Sequence, residues 1–221
     1  FFLGYTLSNQ GRFQAAMARL QVADSLQPRP GPIDVKAYMQ QCEEYIELES
    51  QMADFLDEDA EPSLNECIKL AWICRLKGNH LAAVRYYRRA FALDPEIENR
   101  METKLRFYAA GSAASAGSDR TADEEELTDD ERLQRRENKA QLRQQALAWL
   151  EEDFEYWKLL QAAGDDRAAL TVIQKLNYWR MDPHLACVRD EEQLVMLPVA
   201  EREQWQQFWK DVNQVLRDAQ R

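Results

Sequence analysis

Residues 64–97 read LNECIKLAWICRLKGNHLAAVRYYRRAFALDPEI, and this stretch decides the fold. Apolar residues recur every three or four positions on both sides of Gly78, and Pro95 stands near the end. The spacing predicts two helices joined by a tight turn at the glycine. Glycine suits that turn because it adopts left-handed backbone conformations at little cost, and proline ends the second helix.

A second copy of this pattern lies at the start of the chain. The matched positions are Leu3-Gly4, Gly11, Phe13, Ala16, Leu20, Ala23 and Pro28, which correspond to Leu70-Ala71, Gly78, His80, Ala83, Tyr87, Ala90 and Pro95. The small residues let two antiparallel helices approach closely, and a large residue fills the space between them. The pattern resembles the tetratricopeptide repeat (TPR), so we expect stacked antiparallel helix pairs that form a short solenoid.

The repeats are predicted to occupy residues 1–117, with the first repeat truncated and a third first-helix at about Glu98 to Ala116. An inserted amphipathic helix is predicted over residues 33–56, where apolar side chains recur at helical spacing. We expect its apolar face to pack beside the repeats. The alternative is a docking face for a second chain.

The rest of the chain predicts a loop and a second helical part. Residues 118–130 are rich in Asp and Glu, which is typical of a solvated acidic loop; an acidic recognition tail is the alternative. Thr128 and Glu131 have capping-box spacing, which predicts a helix start at Thr128. Residues 131–221 hold five of the six tryptophans, and they predict a C-terminal helical subdomain with a Trp-rich core. The predicted fold class is therefore all-α.

The composition of the chain argues against several classes of function. The formal net charge of −11 opposes binding to nucleic acid, and the chain has no apolar run long enough for membrane insertion. The four cysteines and two histidines have no metal-ligand spacing, and no base is placed beside a nucleophile. We therefore predict no catalytic residue, no metal and no cofactor. Sparse cysteines favour reduced thiols and a cytoplasmic location.

Three further stretches are similar to the C-terminal repeat region of bacterial serine/threonine protein kinases. They are residues 106–117, 143–150 and 182–190, and the last continues to Trp209. The resemblance implies a kinase domain before Phe1, and the opening Phe-Phe-Leu-Gly looks like the middle of a helix, so we expect a fragment. Within the chain itself we find no kinase motif (G-x-G-x-x-G, His-Arg-Asp or Asp-Phe-Gly), so we predict that it is not an enzyme.

In the TPR family the first helix of each repeat lines a concave groove that takes an extended peptide or a partner helix. The register predicts groove or partner-binding positions at Tyr5, Asn9, Asn65, Ile68, Trp72, Arg75, Glu102 and Arg106, and also at Ser8 and Leu76. Some members clamp a C-terminal carboxylate with Lys and Asn where this chain has Ile68 and Trp72, so that mode is not predicted. The alternative is that the helix over 33–56 covers the groove.

These patterns predict a non-catalytic scaffold that binds a protein or peptide and recruits or regulates partners for an attached kinase. The alternative is structural self-association, such as a homodimer, or an intramolecular regulatory role with no external ligand.

Overall fold

The structure, a computed structural model, describes residues 1–26, 34–52, 61–118 and 128–220. Every regular element in these ranges is helical, which confirms the predicted all-α, TPR-like repeat fold. The chain divides into two compact units, Phe1–Pro95 and Glu96–Arg221.

The first unit contains the two predicted helix pairs. Its helices are α1 (Phe2–Asn9), α2 (Phe13–Ser25), α3 (Val35–Ser50), α4 (Leu64–Leu76) and α5 (His80–Leu93). Gly11 and Gly78 have φ of +70° and +76°, the left-handed turns expected within the pairs α1–α2 and α4–α5. The repeat predicted over 64–97 thus folds as two helices joined at Gly78.

Small residues bring the helices of each pair together, as the aligned positions predicted. A Cβ added to Gly4 would lie 2.8 Å from Cγ of Leu20, so only glycine allows this approach of α1 to α2. The corresponding residues of the second pair, Ala71 and Tyr87, are buried. The same pairing of small and large residues therefore builds both repeats.

Helix α3 packs beside the first repeat, as expected for the amphipathic segment. Val35 and Cys42 join the core formed by Leu7, Ala16, Met17 and Leu20. The helix is shorter than predicted, because Asp34 caps its start and the N–H of Gln51 closes its end on the carbonyls of Glu47 and Leu48. The predicted continuation over 53–56 lies outside the described residues.

The second unit holds the remaining long helices and the Trp-rich core. Its elements are α7 (Leu105–Ser118), α8 (Asp129–Ala162), α9 (Asp166–Met181), a 3₁₀ helix (Pro183–Val188), α10 (Glu191–Leu194) and α11 (Val199–Ala219), while the single turn α6 (Pro95–Glu98) stands at the border of the units. The predicted capping box starts α8, since the Oγ1 of Thr128 accepts from the N–H of Glu131 at 3.3 Å. All five tryptophans after residue 148 are buried.

Helix α7 differs from the predicted third repeat helix over Glu98–Ala116. It begins only at Leu105, because Lys104 has φ of +57°, which interrupts a right-handed helix. It lies in the second compact unit, which begins at Glu96, whereas the sequence predicted repeats up to residue 117. A Cβ on Gly117 would lie 2.8 Å from the carbonyl oxygen of Lys139, so the small residues serve close packing on α8. Most of the predicted acidic loop, residues 119–127, lies outside the described residues.

Candidate partner-binding surface

Four of the predicted groove residues form a row along α4. Asn65, Ile68, Trp72 and Leu76 follow one another at steps of three and four, which places them on one face. Asn65 is exposed, and the three apolar side chains are half-buried. The row is about 16 Å long at 1.5 Å per residue. We call these four residues the α4 row.

The helix that carries the α4 row is fixed at its start and along its side. Ser63 and Glu66 form a capping box, in which the Oε2 of Glu66 accepts from the N–H of Ser63 at 2.7 Å. On the adjacent face Lys69 pairs with Glu44 of α3. Lys77 pairs with Glu49 of α3 in the same way. These contacts fix the backbone of α4 in the unbound chain.

The same contacts bear on the alternative that α3 covers the groove. The ion pairs of α3 go to Lys69, which lies about a quarter turn around α4 from Ile68, and to Lys77, which directly follows the end of α4. Arg75, however, is only 5% exposed. It therefore belongs to the interior of the unit and is not an accessible cation in the row.

The predicted positions on α1 separate into open and covered residues. Tyr5 is 41% exposed, and its ring meets that of Tyr38 on α3 edge to face, with centroids 5.7 Å apart. Asn9 is exposed. Ser8 is buried, and its hydroxyl oxygen accepts from the Sγ of Cys42 on α3 at 3.7 Å. Helix α3 therefore covers Ser8 and leaves part of Tyr5 accessible.

The last two predicted positions lie in the second unit. Glu102 is exposed. Arg106 is 6% exposed, its Nη1 lies 3.0 Å from the Oδ1 of Asp153, and its Nη2 donates to the side chain of Asn99. The predicted register, which treats α7 as a repeat helix, places Arg106 in a groove. In the structure, the packing of α7 against α8 buries this side chain.

Among the described residues, the cysteine thiols give no evidence of a reactive or metal-binding site. Cys42, Cys67 and Cys74 are buried free thiols, and burial raises the pKa of Cys74 to about 11, so this thiol is neutral at physiological pH. Among the described residues, no three His, Cys, Asp or Glu side chains converge as metal ligands. No helix in the described ranges is long and apolar enough to span a membrane.

The sequence patterns did not predict one feature of the second unit, a cavity lined by residues from separate segments. Lys104, Trp157 and Lys175 line a common cavity, although they are far apart in the sequence. Spacing within a helix carries no signal for such a group, because its members come from three separate segments.

The comparison with protein families agrees with this geometry. Residues 67–97 match the family described as tetratricopeptide repeat. The chain is thus a helical protein that contains a tetratricopeptide repeat, and such repeats generally mediate protein–protein interaction. No curated protein and no solved structure matches the chain.

Proposed function

We propose that this chain is a non-catalytic scaffold that binds a protein or peptide segment along the α4 row. The observation that carries the proposal is the row itself, since Asn65, Ile68, Trp72 and Leu76 follow one another on the first helix of the matched repeat. In this repeat architecture the stacked first helices form the usual binding surface.

The chemistry of the row supports an apolar anchor in the partner. Trp72 and Ile68 are each partly accessible, so a partner side chain can gain contact area without a change in the core. Tryptophan at the centre of a patch often contributes a large share of binding energy. The amide of Asn65 at the end of the row can donate and accept hydrogen bonds to a partner backbone.

A kinase association is the finer part of the proposal. The resemblance of residues 106–117, 143–150 and 182–190 to the repeat regions of bacterial serine/threonine kinases supports it. The bound partner would then be a substrate or regulator held near an attached catalytic domain in the cytoplasm. The open reading frame tests this part separately: a kinase core upstream of Phe1 supports it, and an unrelated or absent upstream domain removes it.

Self-association is the second candidate function. Phe2, Leu3 and Tyr5 on α1 are 76%, 56% and 41% exposed, which leaves apolar surface that a second copy can cover. Sedimentation across a range of concentrations separates the candidates. A dimer that is lost in Phe2→Ser supports this alternative, whereas a monomer at all concentrations removes it.

The test of the scaffold role compares two matched variants in quantitative affinity capture from cell extract. Trp72→Ala removes the centre of the α4 row, and Arg85→Ala truncates an exposed residue on α5 of the same repeat. We expect Trp72→Ala to lose at least about tenfold of the specifically bound protein, since truncating an interface anchor commonly costs 2 kcal/mol or more. Equal capture by both variants, each with an unchanged circular dichroism spectrum, would remove the α4 row as the binding surface.

A further inference from the structure

A small cavity in the second unit gathers positive charge. Its volume is about 20 Å³, and Lys104, Asp153, Trp157, Lys175 and Tyr178 are among its lining residues. This volume exceeds the roughly 10–15 Å³ that one water-sized group requires. A single polar atom of a ligand therefore fits inside.

Two lysines approach the cavity over aromatic rings. The Nζ of Lys104 lies 5.0 Å from the ring centroid of Tyr178, and that of Lys175 lies 6.0 Å from the ring centroid of Trp157. Among the residues that the structure describes, neither ammonium group has a carboxylate partner. The chain has 39 acidic and 28 basic residues, so two neighbouring lysines without carboxylate partners are unusual in it.

The cavity wall also holds a buried donor. Trp157 is 5% exposed, and within the described ranges its Nε1 has no hydrogen-bond acceptor. Buried indole N–H groups usually find a partner, because an unmade hydrogen bond in the interior costs free energy. Trp209 follows this rule, since its Nε1 donates to the carbonyl of Val188 at 2.8 Å. The indole of Trp205 also has no acceptor among the described residues, but only Trp157 lines this cavity, where a ligand acceptor can reach it.

The backbone at Lys104 is strained. Its φ of +57° is the one positive value among the described residues other than glycine, and lysine gains nothing locally from that conformation. Strain of this kind is found at ligand sites, where the surrounding structure holds a side chain in place. Here it fixes a cation at the start of α7, beside the cavity.

Among the described residues, the two lysines at the cavity pair with no carboxylate. Asp153 pairs with Arg106 at 3.0 Å, and the same guanidinium lies 3.4 Å from Glu152 and 3.8 Å from Glu98, so these three carboxylates are engaged with Arg106. The pKa of Lys175 is lowered, first by burial and then by the positive charge of Lys104, so the two ammonium groups repel one another. An anion between them would relieve that repulsion.

We propose that this cavity receives one oxygen of a bound carboxylate, that this oxygen accepts from the indole N–H of Trp157, and that Lys104 and Lys175 balance the charge. The carboxylate comes either from a small organic acid or from the side chain of an acidic peptide. The site is built from α8, α9 and the residue before α7, so it does not depend on the α4 row.

The test follows the indole N–H signals of the whole chain by ¹H–¹⁵N NMR, with the Trp157 signal assigned from Trp157→Phe. The probes are sodium acetate, its neutral analogue acetamide, and a short peptide with one glutamate, each at matched ionic strength. We expect acetate or the glutamate peptide to move the Trp157 signal with saturation, and acetamide to leave it in place. The probe that saturates at lower concentration identifies the source of the carboxylate.

Three lysine variants complete the test. Lys175→Met and Lys104→Gly should each raise the half-saturating concentration at least about tenfold, since each removes a charge-assisted contact. Lys104→Gly also relieves the backbone strain, so a loss of folding cannot explain its effect. Lys158→Met on α8 is the control, because Lys158 pairs with Glu155 away from this cavity. An equal shift with acetamide, no shift with either carboxylate, or equal affinity in all three variants would overturn the proposal.

Discussion

Arg106 and Asp153 form an ion pair inside the second unit, with Nη1 and Oδ1 3.0 Å apart and the two residues 6% and 3% exposed. Burial raises the pKa of Asp153 to about 6, and the neighbouring guanidinium offsets only part of that effect. The pair therefore joins α7 to α8 while leaving a carboxyl group that titrates in a mildly acidic range.

Stability should fall as pH rises through this range. The folded-state pKa of Asp153 lies above its ordinary value of 3.8, so the folded chain holds this proton more tightly than the unfolded chain does. The contribution of this group is complete below about pH 4 and is lost as pH rises through about 6, which amounts to about 3 kcal/mol. Urea unfolding of the wild type and of Asp153→Asn between pH 4 and 7 measures it.

The wild type should lose this free energy of unfolding relative to the variant over that interval. In Asp153→Asn, Arg106 loses a charge partner, which shifts the plot of unfolding free energy against pH by one constant amount. The difference in slope between the wild type and the variant therefore still reports the titration of Asp153. Parallel curves, or an NMR titration midpoint of Asp153 near 4, would contradict this assignment.

The capping box of α4 gives a prediction at the start of the matched repeat. Ser63→Ala removes the hydroxyl that accepts from the N–H of Glu66, and it should cost about 1 kcal/mol of unfolding free energy. Hydrogen bonds from Ser63 also hold the pKa of Glu66 below its usual value, so this pKa should rise in the variant. Ser63→Asp keeps an acceptor and is the control in thermal unfolding. Equal losses in the two variants would show that the cap contributes nothing.

Gly117 and Gly78 should respond to substitution for different reasons. A Cβ on Gly117 would meet α8, including the Cγ of Arg143 at 2.6 Å, so Gly117→Ala should cost about 1–3 kcal/mol through overpacking. Gly78 has nothing within 4 Å of that position, but its φ is +76°, so Gly78→Ala should cost about 1 kcal/mol through backbone strain.

Asparagine distinguishes the two causes, because it tolerates left-handed backbone and is larger than alanine. Gly78→Asn should recover stability relative to Gly78→Ala, whereas Gly117→Asn should be worse than Gly117→Ala. Chemical denaturation of the four variants checks this order. The same order at both positions would mean that a single mechanism applies.

Two tryptophans of α11 form a matched pair for a test of buried polar groups. The Nε1 of Trp209 donates to the carbonyl of Val188 at 2.8 Å, while the Nε1 of Trp205 has no acceptor among the described residues. Trp209→Phe should lose about 1–3 kcal/mol more than Trp205→Phe, because only the former leaves a buried carbonyl without its donor. Differential scanning calorimetry compares them. A larger loss in Trp205→Phe would indicate a partner for that indole.

Local patterns in the sequence predicted the elements that local physics controls. The turns at Gly11 and Gly78 follow from glycine's access to positive φ, and the start of α8 follows from the pairing of Thr128 with Glu131. The α4 row follows from helical periodicity alone, because α4 is a repeat helix with a known partner in α5.

The packing partner of α7 and the environment of Arg106 depend on tertiary contacts, which the sequence patterns do not reveal. The small residues of α7 suit a repeat helix and a close neighbour equally well, and the close neighbour is α8, the next helix along the chain. Arg106 was predicted to face a groove, whereas the structure buries it, because its guanidinium pairs with Asp153 of α8. The cavity at Lys104 and Lys175 was invisible for the same reason.

Site-specific photo-crosslinking tests the scaffold role most directly. A photoreactive phenylalanine analogue replaces Ile68 in the α4 row, or Arg85 on α5 as a control at an exposed position of the same repeat. The scaffold role predicts discrete crosslinked protein species at position 68 that weaken when Trp72→Ala is added, and none of them at position 85. Crosslinks of equal pattern at both positions, or none at 68, would contradict it.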